Sequence, residues 1–193
     1  PICLHPYIYS QAVRFYHDGY PWPICPLPIA YYRDKKVDYR ENNVTRGYQW
    51  MIGDALLATP LYGNDYETAE ARDVYLPEGL WVDYDTGQTY SGPKLLKAFS
   101  LPIGKTPLFV GGTGIVIEKH DESLVCRVYP VTDYADTIFY HRDAVTQSRI
   151  MISKPDWKNP KVIDTTRGQL IGSELVHNAW QFNFLPGHNY SIK

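Results

Sequence analysis

Hydrophobic and polar positions alternate most regularly between Arg72 and Gly87, in the stretch RDVYLPEGLWVDYDTG. Alternation over a few residues is typical of a half-buried strand, because successive side chains point to opposite faces of a sheet. Pro77-Glu78-Gly79 has the composition of a tight turn, and Asp85-Thr86-Gly87 has that of a second one. The pattern therefore predicts two short strands joined by a tight turn at residues 77–79.

Short apolar runs of the same kind follow at residues 99–102, 108–110 and 115–117, each ending at glycines or at a charged break. Further runs of strand length are Leu124–Tyr129, Thr137–Tyr140, Arg149–Ser153, Lys161–Thr165, Gln169–Leu175, Trp180–Phe184 and Tyr190–Ile192. Many short strands with regular turn signals predict a mainly β fold, an antiparallel β-sandwich. One sandwich closes with about seven strands, so one elaborated sandwich and two stacked smaller ones both fit.

The first residues follow a helical pattern instead. Apolar residues recur at helical spacing within residues 4–17, and Gly19 before Pro21 is a helix stop. Residues 20–32 carry four prolines, which exclude a central strand and favour an irregular or edge segment. The charged and polar residues 33–46 predict an exposed loop.

A short helix is predicted over residues 44–53, capped by Thr45 and ended by Gly53, with Tyr48, Met51 and Ile52 facing inward. The apolar run at residues 55–61 has the length of a buried strand. From there onward the pattern contains only strands.

The order of these elements suggests two units. An α/β start followed by an all-β remainder is expected where the end of one domain is joined to a complete second one. We place the boundary between residues 1–53 and residues 54–193. Within the second unit, residues 54–120 can form a proximal part and residues 121–193 additional strands.

Composition narrows the classes of function. The 193 residues include 19 basic and 21 acidic side chains, a formal charge of -2, so there is no basic field for nucleic acid. No apolar run approaches the roughly 20 residues of a membrane helix, and no signal segment stands at the start. We predict neither a nucleic-acid nor a membrane partner. The chain begins at Pro1 without a methionine, so a leader or a preceding domain could have been removed, and the sequence assigns no compartment.

Cysteine and histidine spacing indicates no cofactor. Cys3, Cys25 and Cys126 are odd in number and widely spaced, which predicts three buried thiols rather than a metal or redox site. The histidines lie in separate segments without metal-ligand spacing, so we predict no metal. Asn43-Val44-Thr45 fits a glycosylation sequon, which matters only in a secreted eukaryotic protein.

Most other candidates for chemistry have a plainer structural interpretation. Gly111-Gly112-Thr113-Gly114 is predicted to be a hairpin turn rather than a phosphate loop, since a strand and not a helix follows it. His17 is expected at a helix C-terminus, where a cation is mildly favourable. His141-Arg142-Asp143 is predicted to be the solvated tip of a hairpin.

Five segments in the right order carry a resemblance to a known family. They are LHPYIYS at residues 4–10, GYP at 19–21 with PLP at 26–28, YQWMIGDALLATPL at 48–61, VYLPEGLWVDYDTG at 74–87 and IGKTPLFVGGTGIV at 103–116. Together they resemble the C-terminal part of glycoside hydrolase family 31, the α-glucosidases, α-xylosidases and their relatives. Collinear segments covering a little over half of the chain are more specific than any one motif.

The resemblance implies an architecture and a reaction. The first helix and the segment after it would be the last helix-strand-helix portion of a (β/α)8 barrel, and the strands would form a β-sandwich packed on that barrel. Members are retaining glycosidases that use two aspartates, a nucleophile and a general acid/base, on earlier barrel strands. Neither aspartate has a matching position here, so no residue of this chain is predicted to be catalytic. The expected partners are the missing barrel and, through the whole enzyme, a carbohydrate.

Four further residues are candidates for catalysis or sugar binding, and three of them have a plainer structural interpretation. Asp83 and Asp85 would share one face of a strand about 6.6 Å apart, but Asp85-Thr86-Gly87 is ordinary turn chemistry, and a turn is the favoured interpretation. Trp81 is expected in the core. Trp22 is the one predicted substrate-binding residue, because it would sit near the rim of the barrel.

The chain also departs from the family pattern. Cys25-Pro26 stands where an Arg-Pro is usual, and residues 118–193 lack the usual acidic-glycine turn of the distal sandwich. The preferred function is the non-catalytic, barrel-covering part of a retaining α-glycosidase. The alternative is a β-sandwich module that binds carbohydrate or is structural, and the presence of residues 1–53 favours the first.

Overall fold

The computed structural model describes residues 2–37, 48–60, 68, 70–100 and 106–193. Its elements in chain order are β1 (Ile2–Cys3), α1 (His5–Asp18), β2 (Cys25–Pro26), α2 (Leu27–Ala30), a 3₁₀ turn (Lys35–Val37), β3 (Trp50–Ile52), β4 (Leu56–Ala58), β5 (Ala71–Asp83), β6 (Thr89–Ser100), β7 (Leu108–Val110), β8 (Ile115–His120), β9 (Ser123–Val128), β10 (Tyr134–Tyr140), β11 (Gln147–Ser153), β12 (Val162–Asp164), β13 (Gln169–Ile171), β14 (Glu174–Val176), β15 (Ala179–Phe184) and β16 (Tyr190–Ile192). The prediction of a mainly β chain is confirmed.

The strands form three sheets, which we name by position. The proximal sheet has the order β2-β3-β4-β7-β5-β6, the inner distal sheet β1-β8-β9-β15-β14, and the outer distal sheet β10-β11-β16-β12-β13. The pairings are antiparallel except for β11 with β16, which is parallel. The predicted single run at residues 169–175 divides into β13 and β14, which belong to different sheets.

Helix α1 confirms the predicted N-terminal helix. Pro6 lies in its first turn, where a missing N–H costs nothing, and Gly19 ends it with φ 73°, in the left-handed region that favours glycine. The Gly19 N–H donates to the Phe15 carbonyl (2.8 Å). After it, β2 is a two-residue edge strand followed by α2, as the proline content predicts.

The predicted helix at residues 44–53 is wrong at its described end. Residues 50–52 form β3, which pairs with both β2 and β4, while residues 44–47 and the sequon at 43–45 lie outside the described part. The Gln49 side chain brackets the Tyr75 backbone, donating to its carbonyl (2.8 Å) and accepting from its N–H (2.9 Å). Tyr48 is exposed rather than facing inward. Long-range pairing outweighs the local helical pattern here.

The predicted turn at Pro77-Glu78-Gly79 is also wrong, because β5 runs through it without reversing. The register with β6 shifts between Leu76 and Gly79, so the three residues form a bulge. Gly92 of β6 lies so close that an added Cβ would be 1.8 Å from the Pro77 oxygen. The Trp81 Nε1 donates to the same oxygen (2.8 Å), and Trp81 is buried in the core as predicted.

Three hydrophobic clusters hold these sheets together. The distal cluster lies between the inner and outer distal sheets, with Ile117, Phe182 and Tyr190 among its members. The proximal cluster covers one face of the proximal sheet with Leu27, Val37 and Trp81. The junction cluster joins α1, the proximal sheet and the inner distal sheet, and it comprises Tyr7, Ala55, Leu56, Val82, Val110, Val116, Tyr129, Val131 and Ala179. The proposed boundaries at residues 53 and 120 stay predictions.

Candidate functional site

Trp22, the predicted substrate-binding residue, is half-buried and firmly held. Its Nε1 donates to the Asp18 carboxylate (2.8 Å), and its carbonyl accepts from the Gly53 N–H (2.7 Å). The Arg14 guanidinium carbon lies 3.5 Å from the ring centroid, and the Tyr20 ring centroid lies 4.6 Å away. The hydrogen bonds from Trp22 and from the Tyr20 N–H hold the pKa of Asp18 below its ordinary value. The contact of Trp22 with sugar stays a prediction.

Helix α1 has a second apolar stripe that faces outward. Its buried face carries Tyr7 and Val13 with the polar Ser10 and Gln11. The exposed stripe consists of Ile8, Ala12, Phe15 and Tyr16, which are spaced i, i+4, i+7 and i+8. Ile8 is 40% exposed, Phe15 49% and Tyr16 86%. A surface helix normally has one apolar face, so a second one indicates a further contact surface.

Asp54 joins three parts of the chain through one carboxylate. It accepts hydrogen bonds from Arg14 of α1 (2.8 Å), from the Thr113 hydroxyl (3.1 Å) and from the Thr137 hydroxyl of β10 (2.9 Å). The Arg14 and Asp54 side chains are only 16% and 17% exposed. Sequence reasoning missed this residue, because its partners lie 40, 59 and 83 positions away.

A buried polar cluster connects the proximal sheet to the inner distal sheet. The fully buried Glu118 carboxylate contacts the Tyr84 hydroxyl (2.6 Å), the His120 Nε2 (2.7 Å) and an Arg127 Nη1 (3.3 Å). Burial, and then the adjacent carboxylate, raise the pKa of Tyr84 well above its ordinary value, so it remains a neutral donor. The cluster pairs its own charges, which is the condition for burying them, and it is therefore structural.

The aspartate pair does not form a catalytic site. Asp83 Oδ1 accepts the backbone N–H groups of Asp85 (2.9 Å) and Thr86 (3.0 Å), which is the hydrogen bonding of a tight turn. Asp83 is buried while Asp85 is exposed, so the two carboxylates face different surroundings. The prediction of a turn is confirmed, with Asp83 as its acceptor.

Three smaller predictions need correction. Residues 111–114 do not close a hairpin, because they lead from β7 of the proximal sheet to β8 of the inner distal sheet. His141 is buried, and its ring stacks on Phe184 at 5.8 Å, so it is not part of a solvated tip. Cys25 and Cys126 are buried as predicted, but Cys3 is exposed. His17 does lie in the last turn of α1.

The described residues offer no membrane-spanning helix and no metal-binding cluster. None of the described helices is long and apolar enough to cross a membrane. In the same residues, no group of three or more histidine, cysteine, aspartate or glutamate side chains could hold a metal ion.

Comparison with known proteins finds one matching family model and several similar proteins. Residues 23–116 match the model of the glycosyl hydrolase family 31 C-terminal domain. The 1,6-alpha-glucosyltransferase of Sporosarcina globispora is 29% identical over 154 residues, which cover 74% of this chain and 11% of that protein. The alpha-glucosidase of Saccharolobus solfataricus is 28% identical over 138 residues, 72% of this chain and 17% of that protein.

Solved structures agree on the fold. The cycloalternan-forming enzyme of Listeria monocytogenes superposes with a TM-score of 0.70 at 19% identity, over 98% of this chain and 23% of that one. The family 31 dextranase of Flavobacterium johnsoniae gives a TM-score of 0.65 at 18% identity, over 95% of this chain and 30% of that one.

The fold and these matches are those of a β-rich C-terminal domain. Residues 23–116 match the C-terminal domain of glycosyl hydrolase family 31, and the chain as a whole is similar in fold to the solved structures described above. It spans only 11% to 17% of the length of the two curated relatives described above.

Proposed function

We propose that this chain is the non-catalytic C-terminal portion of a longer retaining α-glycosidase. In that enzyme it covers the catalytic barrel and fixes the barrel's last elements, and alone it hydrolyses nothing. The small share of the curated relatives that the chain spans supports a longer parent. The two aspartates of such enzymes have no counterpart at the positions that match the family.

The exposed stripe of α1 carries this proposal. Ile8, Ala12, Phe15 and Tyr16 are apolar at helical spacing, although the opposite face of α1 already packs on this chain's own sheets. Burial of such a stripe is worth about 25 cal/mol per Å² of apolar surface. A domain packed against this face would gain that energy, and the catalytic barrel is the partner that the similarity to family 31 suggests.

The alternative, a free-standing module that binds carbohydrate or is structural, requires no such helix. The buried face of α1 contacts both β8 and β10, and the Tyr7 hydroxyl donates to the Ile52 carbonyl (3.0 Å). Helix α1 is thus integrated with the sandwich through its buried face. This packing favours a domain that presents α1 to a second unit.

The test compares the parent enzyme with the chain of residues 1–193. We expect the parent to hydrolyse an aryl α-glucoside, α-xyloside or α-galactoside with retention of configuration, and the chain alone to show no turnover. In the parent, Ile8→Ser with Phe15→Ser should shorten the half-life of activity on heating. Leu170→Ser is the matched control, since Leu170 is 70% exposed on β13, and it should leave the half-life unchanged.

Two results would contradict the proposal. Turnover by residues 1–193 alone would show that the chain is catalytic. Equal half-lives for the α1 double variant, the Leu170 control and the unmodified parent would show that no other domain packs on the exposed stripe of α1.

A further inference from the structure

An open groove of about 770 Å³ lies at the end of the distal sandwich that faces the start of α1. Four parts of the chain form its walls: Cys3 with the first turns of α1, the β8–β9 turn, the end of β10 and the end of β15 with the loop that follows. Its volume is within the range of small-molecule sites. None of the predictions from sequence used these residues as a binding site.

The groove combines ring and aliphatic surface with uncharged hydrogen-bonding groups. Tyr9 is half-buried, and its ring stacks with the exposed His5 ring at a centroid distance of 6.3 Å. Leu124 and Leu185 add aliphatic surface beside these rings. A partly exposed aromatic ring next to aliphatic surface suits the C–H faces of a sugar ring, which are themselves apolar.

Two uncharged polar side chains in the groove have no protein partner. Within the described part of the chain, the Ser123 hydroxyl and the Asn183 amide make no hydrogen bond to another residue. Both residues are exposed, and both lie on the β9–β15 side of the groove. An amide offers two donors and an acceptor, and a hydroxyl offers one donor and two acceptors, so together they can serve neighbouring hydroxyl groups of a ligand.

The charges of the groove nearly cancel. Lys119 pairs with Glu122 across the β8–β9 turn (3.7 Å), which leaves Arg142 as the unpaired cation among the described lining residues. A strongly charged ligand would find no matching set of opposite charges, and its desolvation would cost free energy without compensation. The chemistry of the groove thus favours an uncharged, hydroxyl-rich ligand.

We propose that this groove binds a short uncharged oligosaccharide, with Tyr9 as the stacking platform and Asn183 and Ser123 as hydroxyl partners. The choice of glucose oligosaccharides as the first probes rests on the proposed function. The general class, an uncharged polyhydroxylated ligand, rests on the groove alone.

The test measures binding of maltotriose and isomaltotriose to the chain of residues 1–193 by isothermal titration and by amide chemical shifts. We expect saturable binding of at least one of them, with shifts concentrated at Tyr9, Ser123 and Asn183. Asn183→Ala should weaken binding roughly fivefold, the effect of losing about one net hydrogen bond. Tyr9→Ala should weaken it at least as much, and Tyr9→Phe, which keeps the ring, should weaken it little.

Matched controls separate loss of contact from loss of fold. Asn159→Ala removes an exposed asparagine and Tyr134→Ala an exposed tyrosine, both outside the groove, and neither should change binding. Asn183 keeps its backbone pairing with Val125 in the variant, so the fold should persist. Far-ultraviolet circular dichroism of each variant checks this.

The outcomes distinguish this inference from the proposed function. No saturation by either trisaccharide, or binding that Asn183→Ala and Tyr9→Ala leave unchanged, would overturn the groove proposal even if the parent hydrolyses α-glycosides. Binding at the groove, with a parent that hydrolyses none of the three glycosides, would support the groove and contradict the proposed function.

Discussion

His141 illustrates how a single residue is placed by the strand that leads to it. Its ring stacks on Phe184 and lies edge-on to Phe139, with centroids 5.8 Å and 4.9 Å away. The Gly187 N–H donates to Nε2 (3.3 Å), which makes Nε2 an acceptor and places the proton of the neutral ring on Nδ1. Burial lowers the pKa of His141 below its ordinary value of 6.5.

The sequence around His141 gave a misleading signal for a physical reason. His-Arg-Asp after an apolar strand has the composition of an exposed turn. Phe139 and His141 lie two residues apart, so the alternation of β10 carries His141 onto the core side one residue past the strand's end. Arg142 and Asp143 are exposed as predicted. Composition shows the turn, but it does not show where the alternation stops.

We predict that His141 makes the fold less stable in mild acid. Below pH 6.5 the unfolded chain takes up a proton that the folded ring resists, so the free energy of unfolding falls until the pH reaches the lowered folded pKa. Asp143, whose pKa is lowered to about 2 mainly by Thr146, stays ionised across this window and opposes the effect only partly. Urea unfolding at pH 7.5 and at pH 5.5, about one pH unit above and below the ordinary pKa of histidine, measures this change in the free energy of unfolding.

His141→Gln should lose less stability than the unmodified chain between these two pH values. His17→Gln, which changes an exposed histidine at the end of α1, is the control and should follow the unmodified chain. Equal losses in the His141 variant and the unmodified chain would contradict the prediction.

At the scale of elements, the turn between β3 and β4 packs directly against α1. Gly53 has φ 65°, and an added Cβ would lie 2.4 Å from the Tyr7 Oη and 2.6 Å from Gln11 Cδ. The Tyr7 hydroxyl also accepts from the Ala55 N–H (3.2 Å), so the same turn is hydrogen-bonded to the helix. Glycine at this position allows the proximal sheet to approach α1 closely.

Local pattern predicts the elements of this chain unevenly. Helix α1 is well predicted, because its spacing, Pro6 and Gly19 all agree, and most distal strands match their apolar runs. The segment at β3 and the bulge at Pro77 are not predicted correctly, because each depends on a partner strand that the local sequence does not reveal. The sequence marks Gly53 and Gly79 as special positions, but glycine signals a conformation and not which element it serves.

We predict that Gly53→Ala is markedly more destabilising than a glycine substitution in open space. Gly168→Ala is the matched control, since its φ is 67° and no atom lies within 4 Å of the added Cβ. The control should cost roughly 1 kcal/mol for the left-handed backbone. Gly53→Ala should cost about 1–3 kcal/mol more, because Tyr7 and Gln11 must move. If chemical denaturation shows equal losses in the free energy of unfolding for both variants, Tyr7 and Gln11 of α1 move aside without an energetic cost.

At the scale of the whole molecule, the proximal sheet and the inner distal sheet share one apolar junction with α1. The junction cluster takes Val82 from the proximal sheet, Val116 from the inner distal sheet and Tyr7 from α1. The Asp54 carboxylate adds polar links from the β3–β4 region to Arg14 of α1 and Thr137 of the outer distal sheet. The sequence predicted strands and a sandwich, but this junction arises from residues far apart in the chain.

Shared burial of this kind should make unfolding cooperative, so we predict a single transition for residues 1–193. Calorimetric and van't Hoff enthalpies should agree, and amide exchange should give similar opening free energies for Leu76 of β5 and Ile150 of β11. Asp54→Ala should lower both opening free energies by roughly 2 to 3 kcal/mol, because Arg14 loses its half-buried partner and two hydroxyl bonds disappear. Asp136→Ala, which breaks the exposed pair with Arg149, is the control and should cost less than about 1 kcal/mol. Two separate transitions, or an Asp54 variant that weakens protection in one sheet and not the other, would mean that the junction holds the sheets side by side without coupling their stability.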